Sequence, residues 1–141
     1  MKKYVLDANV LMSALISGKQ IYLSIFERIQ FFVPDFIITE IEKYKFLILE
    51  KTKLKTSEFN EFANKLFQNL SIIPSSYISE ENINYAMNLC MDIDEKDTMY
   101  VALSLQMSIT LVTRDIPLFK GLKKKGFKNV ILFDTLFNEM E

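Results

Sequence analysis

Short apolar runs alternate with amphipathic stretches along this chain. The runs end at turn-forming or polar residues, as buried strands usually do. Five runs predict strands, at 4–6, 31–33, 71–74, 109–113 and 130–133. Between them, apolar residues recur at intervals of three and four, which is the spacing of one helix face. These stretches predict helices at about 8–16, 19–30, 35–52, 56–67, 80–90, 94–107 and 116–125, and from about 134 onward.

The order of these elements predicts the fold class. Strands that alternate with helices through short links form a mostly parallel sheet with helices on both faces. No repeat, low-complexity tract or linker interrupts the pattern, so we expect one three-layer α/β domain over residues 1–141. Thr56-Ser57-Glu58 offers an N-cap for the helical segment around 53–70.

Composition restricts both the chemistry and the partners. The formal net charge of −1 provides no overall basic field, so a polyanionic partner needs a local basic surface or a bound metal ion. The chain contains no histidine, which excludes Ser-His, Cys-His and imidazole-metal chemistry. Acid–base catalysis is therefore left to Asp, Glu, Lys, Tyr or metal-bound water.

Cysteine usage and hydropathy indicate a compartment. The single Cys90 cannot form an internal disulfide and lies in a helical pattern, so we interpret it as a buried thiol in a reducing compartment. Asp7 interrupts the first apolar run too early for a signal peptide, and no run approaches the roughly 18 apolar residues of a membrane span. We expect a cytoplasmic protein.

Acidic residues stand beside the apolar segments. Asp7 ends the first strand, Asp115 follows the fourth, Asp97 opens an apolar helix, and Glu40 lies inside the helix predicted at 35–52. The carboxyl ends of parallel strands converge on one crevice, where ligands bind. Carboxylates that meet there repel each other unless a cation lies between them, most simply a hard divalent ion with oxygen ligands.

Each acid also has a purely structural interpretation. Asp7 could cap its helix, and Glu40 could be a solvated residue on an amphipathic helix. Asp94 and Asp97 have the spacing of an N-cap and an acid in the first helical turn, and Asp115 could cap a helix that has proline in its first turn. These interpretations do not explain why three acids stand at the ends of apolar segments in one α/β chain.

Four segments carry a family resemblance. Residues 4–11 read as a strand that delivers Asp7 with Asn9 two positions later, and residues 32–41 include a helical acid, Glu40. In residues 94–103 Asp97 precedes an alanine-bearing apolar helix, and residues 111–115 form a strand that ends in Thr-Arg-Asp. In order and approximate spacing, these segments resemble the four motifs of the PIN-domain nucleases.

The resemblance runs along almost the whole chain and implies a parallel-sheet α/β fold, cleavage of RNA that depends on Mg²⁺ or Mn²⁺, and frequent homodimerisation. The most similar group is the stand-alone prokaryotic type, which includes the toxins of VapC-like toxin–antitoxin pairs. That subtype implies an antitoxin protein as a partner. The helical segment around 53–70 is longer than is usual in compact toxins.

The acids could support phosphodiester hydrolysis, which requires an activated water, neutralised phosphate oxygens and a stabilised leaving oxyanion. One or two magnesium ions held by carboxylates can supply these without histidine. We expect Asp7 and Asp97 to be direct metal ligands, with Glu40 and Asp115 completing the site directly or through water. Two interpretations of Asp94 are equally supported, as a helix cap and as a fifth acid of the metal site.

Further candidates surround these ligands. Asn9 and Thr113 are candidate hydrogen-bond partners of the metal ligands. Arg114 could contact a phosphate or pair with a nearby acid. The run Lys123–Lys125, or the lysines at 43, 45, 51, 53 and 55, could follow a phosphate backbone, although charge runs are more often solvated.

Three other protein classes fit less well. A receiver-like domain needs a phosphoacceptor Asp after its third strand, and Ile72-Ile73-Pro74-Ser75 provides none. A dehalogenase-type phosphatase needs a second Asp two residues after Asp7 and finds Asn9 there. A catalytically inactive PIN-like module that binds RNA or protein remains the alternative, although binding alone does not require four mutually repelling carboxylates.

Overall fold

The computed structural model describes residues 1–140, which form one five-stranded sheet. Every strand pair is parallel and the order is β3-β2-β1-β4-β5, with β1 in the centre between β2 and β4. The expected α/β fold with a parallel central sheet is confirmed. The strands are β1 Lys2–Leu6, β2 Ile29–Pro34, β3 Leu70–Ile73, β4 Leu111–Thr113 and β5 Val130–Leu132. Glu141, the last residue of the expected domain, lies outside the described residues.

The helices alternate with the strands as predicted, within a few residues. They are α1 Ala8–Ser17, α2 Gln20–Arg28, α3 Phe36–Lys51, α4 Thr56–Gln68, α5 Glu80–Cys90, α6 Thr98–Met107, α7 Ile116–Lys124 and α8 Phe133–Met140. Several boundaries differ from the prediction by one to four residues. Helix α6 begins at Thr98 rather than near Asp94, and β4 begins at Leu111 rather than at Ile109. Ile29 and Gln30 belong to β2 rather than to α2, and Phe133 starts α8 instead of ending β5.

Helices cover both faces of the sheet, which explains why the strands are nearly continuous apolar runs. Helices α5, α6 and α7 pack together, with α6 on β1 and β2 and α7 on β4 and β5. Helix α2 packs on β2 and on α4, and the ring of Tyr22 in α2 stacks on Phe133 of α8 at 5.7 Å. Val5, Leu6 and Phe31 are fully buried between the layers.

The link between α3 and α4 is bonded to the end of α1. The Thr52 hydroxyl donates to the carbonyl of Leu15 at 2.9 Å, and the Lys53 amide donates to the carbonyl of Ile16 at 3.0 Å. Gly18 ends α1 with φ of 65°, a conformation that favours glycine. The segment around 53–70 is thus anchored to the rest of the protein.

The N-cap of α4 lies one residue before the segment predicted for it, Thr56-Ser57-Glu58. Lys55 occupies the cap position, and Thr56 is already the first helical residue. The Glu58 side chain accepts from the Lys55 amide at 3.4 Å, so the first turn is stabilised by an acid rather than by a hydroxyl.

Candidate active site

All five candidate acids line one pocket at the carboxyl edge of the sheet. Asp7 follows β1, Asp115 follows β4, and Glu40 and Asp97 approach from α3 and from the start of α6. The cavity measures about 190 Å³. Its lining residues are Asp7, Ala8, Asn9, Met12, Glu40, Tyr44, Asp94, Lys96, Asp97 and Asp115.

Asp7 occupies the N-cap position of α1, but its side chain makes no capping bond. Its Oδ2 instead accepts a hydrogen bond of 2.7 Å from the Thr113 hydroxyl across the β1–β4 pair. The pKa of Asp7 is raised to about 6, mainly by burial and also by the charges of Glu40 and Asp115, while the Thr113 bond acts in the opposite direction. The structural interpretation of Asp7 as a side-chain helix cap is therefore wrong.

Glu40 is buried, with 9% of its surface exposed, so its interpretation as a solvated helix residue is also wrong. The Tyr100 hydroxyl donates to Glu40 Oε1 at 2.5 Å. Burial raises the pKa of Glu40, whereas the Tyr100 bond and the charge of Lys96 act in the opposite direction. Burial and the Glu40 charge also raise the pKa of Tyr100, so the phenol stays protonated and can donate.

Asp97 ends a single helical turn, Glu95–Asp97, immediately before α6. It is 8% exposed, it makes no side-chain capping bond, and its Oδ2 is buried without a hydrogen-bond partner. Burial raises the pKa of Asp97 to about 8, with further contributions from Asp7, Asp94, Asp115 and Glu40. A buried carboxylate oxygen without a partner destabilises the fold, so helix stability does not explain it.

Asp115 and Asp94 combine a structural role with a place in the pocket. Asp115 caps α7, because its Oδ1 accepts from the Leu118 amide at 3.0 Å and Pro117 lies in the first turn. Asp94 caps the turn Glu95–Asp97, accepting from the Lys96 amide at 3.0 Å. For both residues the capping interpretation is confirmed, and their carboxylates still face the cavity.

Asn9 and Thr113 connect the acids at the two strand ends. The Asn9 amide donates to Thr113 Oγ1 at 3.4 Å and its Oδ1 accepts from the Arg114 amide at 3.2 Å. Thr113 Oγ1 also accepts from the Asp115 amide at 3.0 Å. The Arg114 guanidinium donates to the Tyr22 hydroxyl at 3.3 Å, rather than pairing with an acid.

Three residues that contact the acids or line the pocket were not predicted from the sequence: Tyr100, Lys96 and Tyr44. Tyr100 looks like a core residue because it lies in an apolar helical run, and its partner Glu40 is 60 positions away. Lys96 lies in a charged segment without a periodic pattern, and Tyr44 lies inside the helix predicted at 35–52, where nothing marks it as a pocket residue. A tyrosine in a run that follows a candidate acid is a weak signal for a buried acceptor nearby.

Two candidates from the sequence have ordinary structural surroundings. In the lysine run, Lys123 donates to the carbonyl of Lys128, while Lys125 donates to the carbonyl of Leu89 and pairs with Asp92. Cys90 is a buried free thiol, as expected, and burial raises its pKa to about 12. A thiol with that pKa is a poor nucleophile at neutral pH.

The donor set suits a hard divalent cation. The pocket offers carboxylate oxygens, acids whose pKa values are raised by burial and by neighbouring negative charges, and one oxygen of Asp97 without a partner. Within residues 1–140, however, no three acidic or thiol groups are close enough to hold an ion as they stand. Joint coordination of an ion therefore requires the acids to move closer together, although the hydrogen bonds to Asp7, Glu40 and Asp115 can persist because a carboxylate has several lone pairs.

Comparison with known families agrees with this geometry. The sequence model of the PIN domain family matches residues 5–133, a range that contains all the candidate acids. The chain therefore belongs to the PIN domain family. PIN domains are generally nucleases and generally use divalent metal ions.

A search of curated proteins finds no match. None of the helices formed by residues 1–140 is long and apolar enough to cross a membrane.

Proposed function

We propose that this chain is a divalent-metal-dependent endoribonuclease that hydrolyses RNA phosphodiester bonds at the carboxylate pocket. The observation that carries the proposal is the Asp97 carboxylate, which is buried among other acids with Oδ2 left without a partner. A protein that needed Asp97 only for folding would be more stable with a neutral side chain there. A site that must bind a cation needs an ionisable carboxyl there, because the carboxylate is the ligand.

Asp7 and Asp97 would hold Mg²⁺ or Mn²⁺, with Glu40 and Asp115 completing the site directly or through water and Asp94 as a fifth acid. When bound, the ion supplies charge neutralisation on the phosphate and activation of water. Thr113 keeps Asp7 Oδ2 in place, and Asn9 in turn contacts Thr113.

Before a cation binds, Asp97 retains a proton at neutral pH because its pKa is about 8. Cation binding favours release of that proton, so we expect metal affinity to rise with pH. Tyr100 holds the Glu40 carboxylate facing the pocket by donating to Oε1. These contacts orient the ligands before substrate arrives.

The alternative is a catalytically inactive PIN-like module that binds RNA or protein. Five carboxylates around one pocket repel a polyanion, which argues against this alternative. Purified protein that binds RNA but does not cleave it in either Mg²⁺ or Mn²⁺ would favour the module.

The finer biological assignment rests on the motif resemblance. We propose the toxin of a VapC-like toxin–antitoxin pair, acting as a homodimer in the cytoplasm, with RNA rather than DNA as the substrate. The buried free thiol of Cys90 suits a reducing compartment. Co-expression with the product of the neighbouring reading frame tests the pair, because an antitoxin should co-purify with the chain and suppress its cleavage of RNA.

A nuclease assay tests the enzyme. Wild type should cleave single-stranded or structured RNA in Mg²⁺ and stop in excess EDTA. Asp97→Asn should be inactive, whereas Asp134→Asn, a matched change at an exposed position in α8, should be fully active. Undiminished cleavage in EDTA, or an Asp97→Asn protein as active as wild type, would contradict the proposed mechanism.

A further inference from the structure

Lys96 is the one cationic side chain that lines the carboxylate pocket in residues 1–140. It lies in the turn Glu95–Asp97, directly before the buried acid Asp97. Its charge acts on Glu40 across the cavity. The sequence offered two longer lysine groups as phosphate-binding surfaces, but neither places a lysine in this cavity.

The contacts of Lys96 leave its ammonium group available. Nζ lies 3.5 Å from the Tyr44 hydroxyl and 3.9 Å from Asp94 Oδ2, both long for a charged hydrogen bond. An ammonium group has three donors, and half of this side chain is exposed. A weak surface pair of this kind contributes little to stability, so fold stability gives little reason for a lysine here.

The charge balance of the pocket gives a stronger reason. Five carboxylates line it and the whole chain carries a net charge of −1, so an approaching polyanion meets a repulsive surface. Binding of a nucleic acid backbone therefore depends on local cations. A half-exposed lysine at the pocket can attract a phosphate without neutralising the buried acids.

We propose that Lys96 binds a backbone phosphate of the RNA substrate, with Tyr44 as the positioning residue that directs its ammonium group. This inference rests on the proposed function and names a phosphate-binding position within the same site. The Tyr44 ring is itself half-buried, with Lys43 Nζ 5.5 Å from the ring centroid. The Tyr44 hydroxyl lies closer to Lys96 Nζ, at 3.5 Å, than Asp94 Oδ2 does at 3.9 Å, so this side chain from α3 can direct the ammonium group.

A binding experiment tests the proposal without requiring cleavage. Fluorescence anisotropy of a labelled single-stranded RNA is measured in EDTA over a series of salt concentrations. Lys96→Met should weaken binding several-fold and flatten the plot of log affinity against log salt by about 0.7, the value for one phosphate contact on single-stranded RNA. Lys96→Arg should restore the slope, and Tyr44→Phe should show a smaller loss.

The charge-matched control is Lys65→Met. Lys65 is exposed on α4, pairs with Glu61 and lies outside the pocket, so its removal should leave the slope unchanged. If Lys96→Met and Lys65→Met give the same affinity and slope, the proposal is wrong. Equal melting points of the variants and wild type confirm that each has folded.

Cleavage kinetics separate this proposal from the proposed function. In Mg²⁺, Lys96→Met should raise KM several-fold with little change in kcat, because a phosphate contact away from the reacting atoms contributes equally to ground state and transition state. If wild type fails to cleave RNA, the nuclease proposal fails while the anisotropy series still tests Lys96. If wild type cleaves and Lys96→Met keeps a wild-type KM, only the Lys96 proposal fails.

Discussion

At the scale of single residues, Asp97 is the side chain whose surroundings least resemble those of a structural acid. It is buried among four other carboxylates and one of its oxygens has no partner. If it is a metal ligand, removing its charge relieves repulsion in the absence of metal. If it is only an acid in a first helical turn, removing its charge loses a favourable dipole interaction of roughly 0.3–1 kcal/mol.

Melting curves of wild type and Asp97→Asn, each in EDTA and in Mg²⁺, separate these cases. In EDTA the variant should be as stable as wild type or more stable. Magnesium should raise the wild-type Tm by mass action and raise the Tm of the variant much less. A variant that melts lower in EDTA and still cleaves RNA would contradict the assignment of Asp97 as a ligand.

The raised pKa values of Asp7 and Asp97 predict a pH dependence of stability. In the native state these carboxyls hold protons up to about pH 6 and about pH 8, whereas in the unfolded chain they release them near 3.8. The native state therefore binds more protons between these values, so the free energy of unfolding should fall as pH rises from about 4 to about 8.

Urea denaturation in EDTA at several pH values measures this dependence. Each proton contributes at most roughly 1.4 kcal/mol per pH unit, and Asp97→Asn should flatten the curve most between pH 6 and 8. A wild-type stability that rises over this range would contradict the burial of protonated acids. The exposed-site variant Asp134→Asn should follow the wild-type curve.

Tyr100 offers a test of how Glu40 is held. Tyr100→Phe keeps the ring in the core but leaves Glu40 Oε1 without its donor, which should destabilise the protein by about 1–3 kcal/mol and lower kcat/KM. Glu40→Gln alone should abolish cleavage. In urea denaturation the double variant should be more stable than the sum of the single losses predicts, and strict additivity would show that the bond contributes nothing.

At the scale of elements, the sequence was sufficient for the class and order of strands and helices, because each buried strand is an apolar run and each helix has an apolar face. The boundaries of elements were predicted less accurately where one residue fits either of two neighbouring elements. Ile29 continues the apolar face of α2 yet pairs with Lys2 in the sheet, and Phe133 fits both β5 and α8. Strand pairing in the folded protein decides the element to which such a residue belongs. The local sequence pattern carries no information about that pairing.

The candidate site was likewise predictable from the sequence only in part. The acids at strand ends were predictable because topology fixes where strand ends meet. The contacts that hold them were not, because Tyr100 and Glu40, or Thr113 and Asp7, are separated by tens of residues and share no repeating pattern. Asp94 and Asp115 each cap a turn or helix and also line the pocket, so the structural and the functional interpretation of one acid can both be correct.

Helix α7 allows the two roles of Asp115 to be separated. Asp115→Asn keeps a good N-cap and removes the charge, whereas Asp115→Ala removes both. The alanine variant should be about 1 kcal/mol less stable than the asparagine variant, and both should lose cleavage to the same extent. Urea denaturation and the nuclease assay measure the two effects, and full activity in Asp115→Asn would remove Asp115 from the metal site.

At the scale of the whole molecule, we predict a homodimer. Family resemblance is the main reason, and large apolar side chains on the surface, such as Phe46 with 84% exposure and Met91 with 66%, are consistent with it. Sedimentation velocity at rising protein concentration should show a species of about twice 16.5 kDa. A single species near 16.5 kDa at the highest concentration would contradict the prediction.

The central position of β1 has a consequence for biosynthesis. One edge of β1 pairs with β2, but the other edge pairs with β4, which is translated more than a hundred residues later. A chain emerges from the ribosome with its N-terminal part first, so Asp7 and Glu40 are exposed long before Thr113 and Asp115 exist. The proposed pocket is therefore incomplete throughout most of translation. For the ribonuclease that we propose, a nascent chain should therefore be unable to cleave the messenger or ribosomal RNA beside it until the last acid has left the exit tunnel.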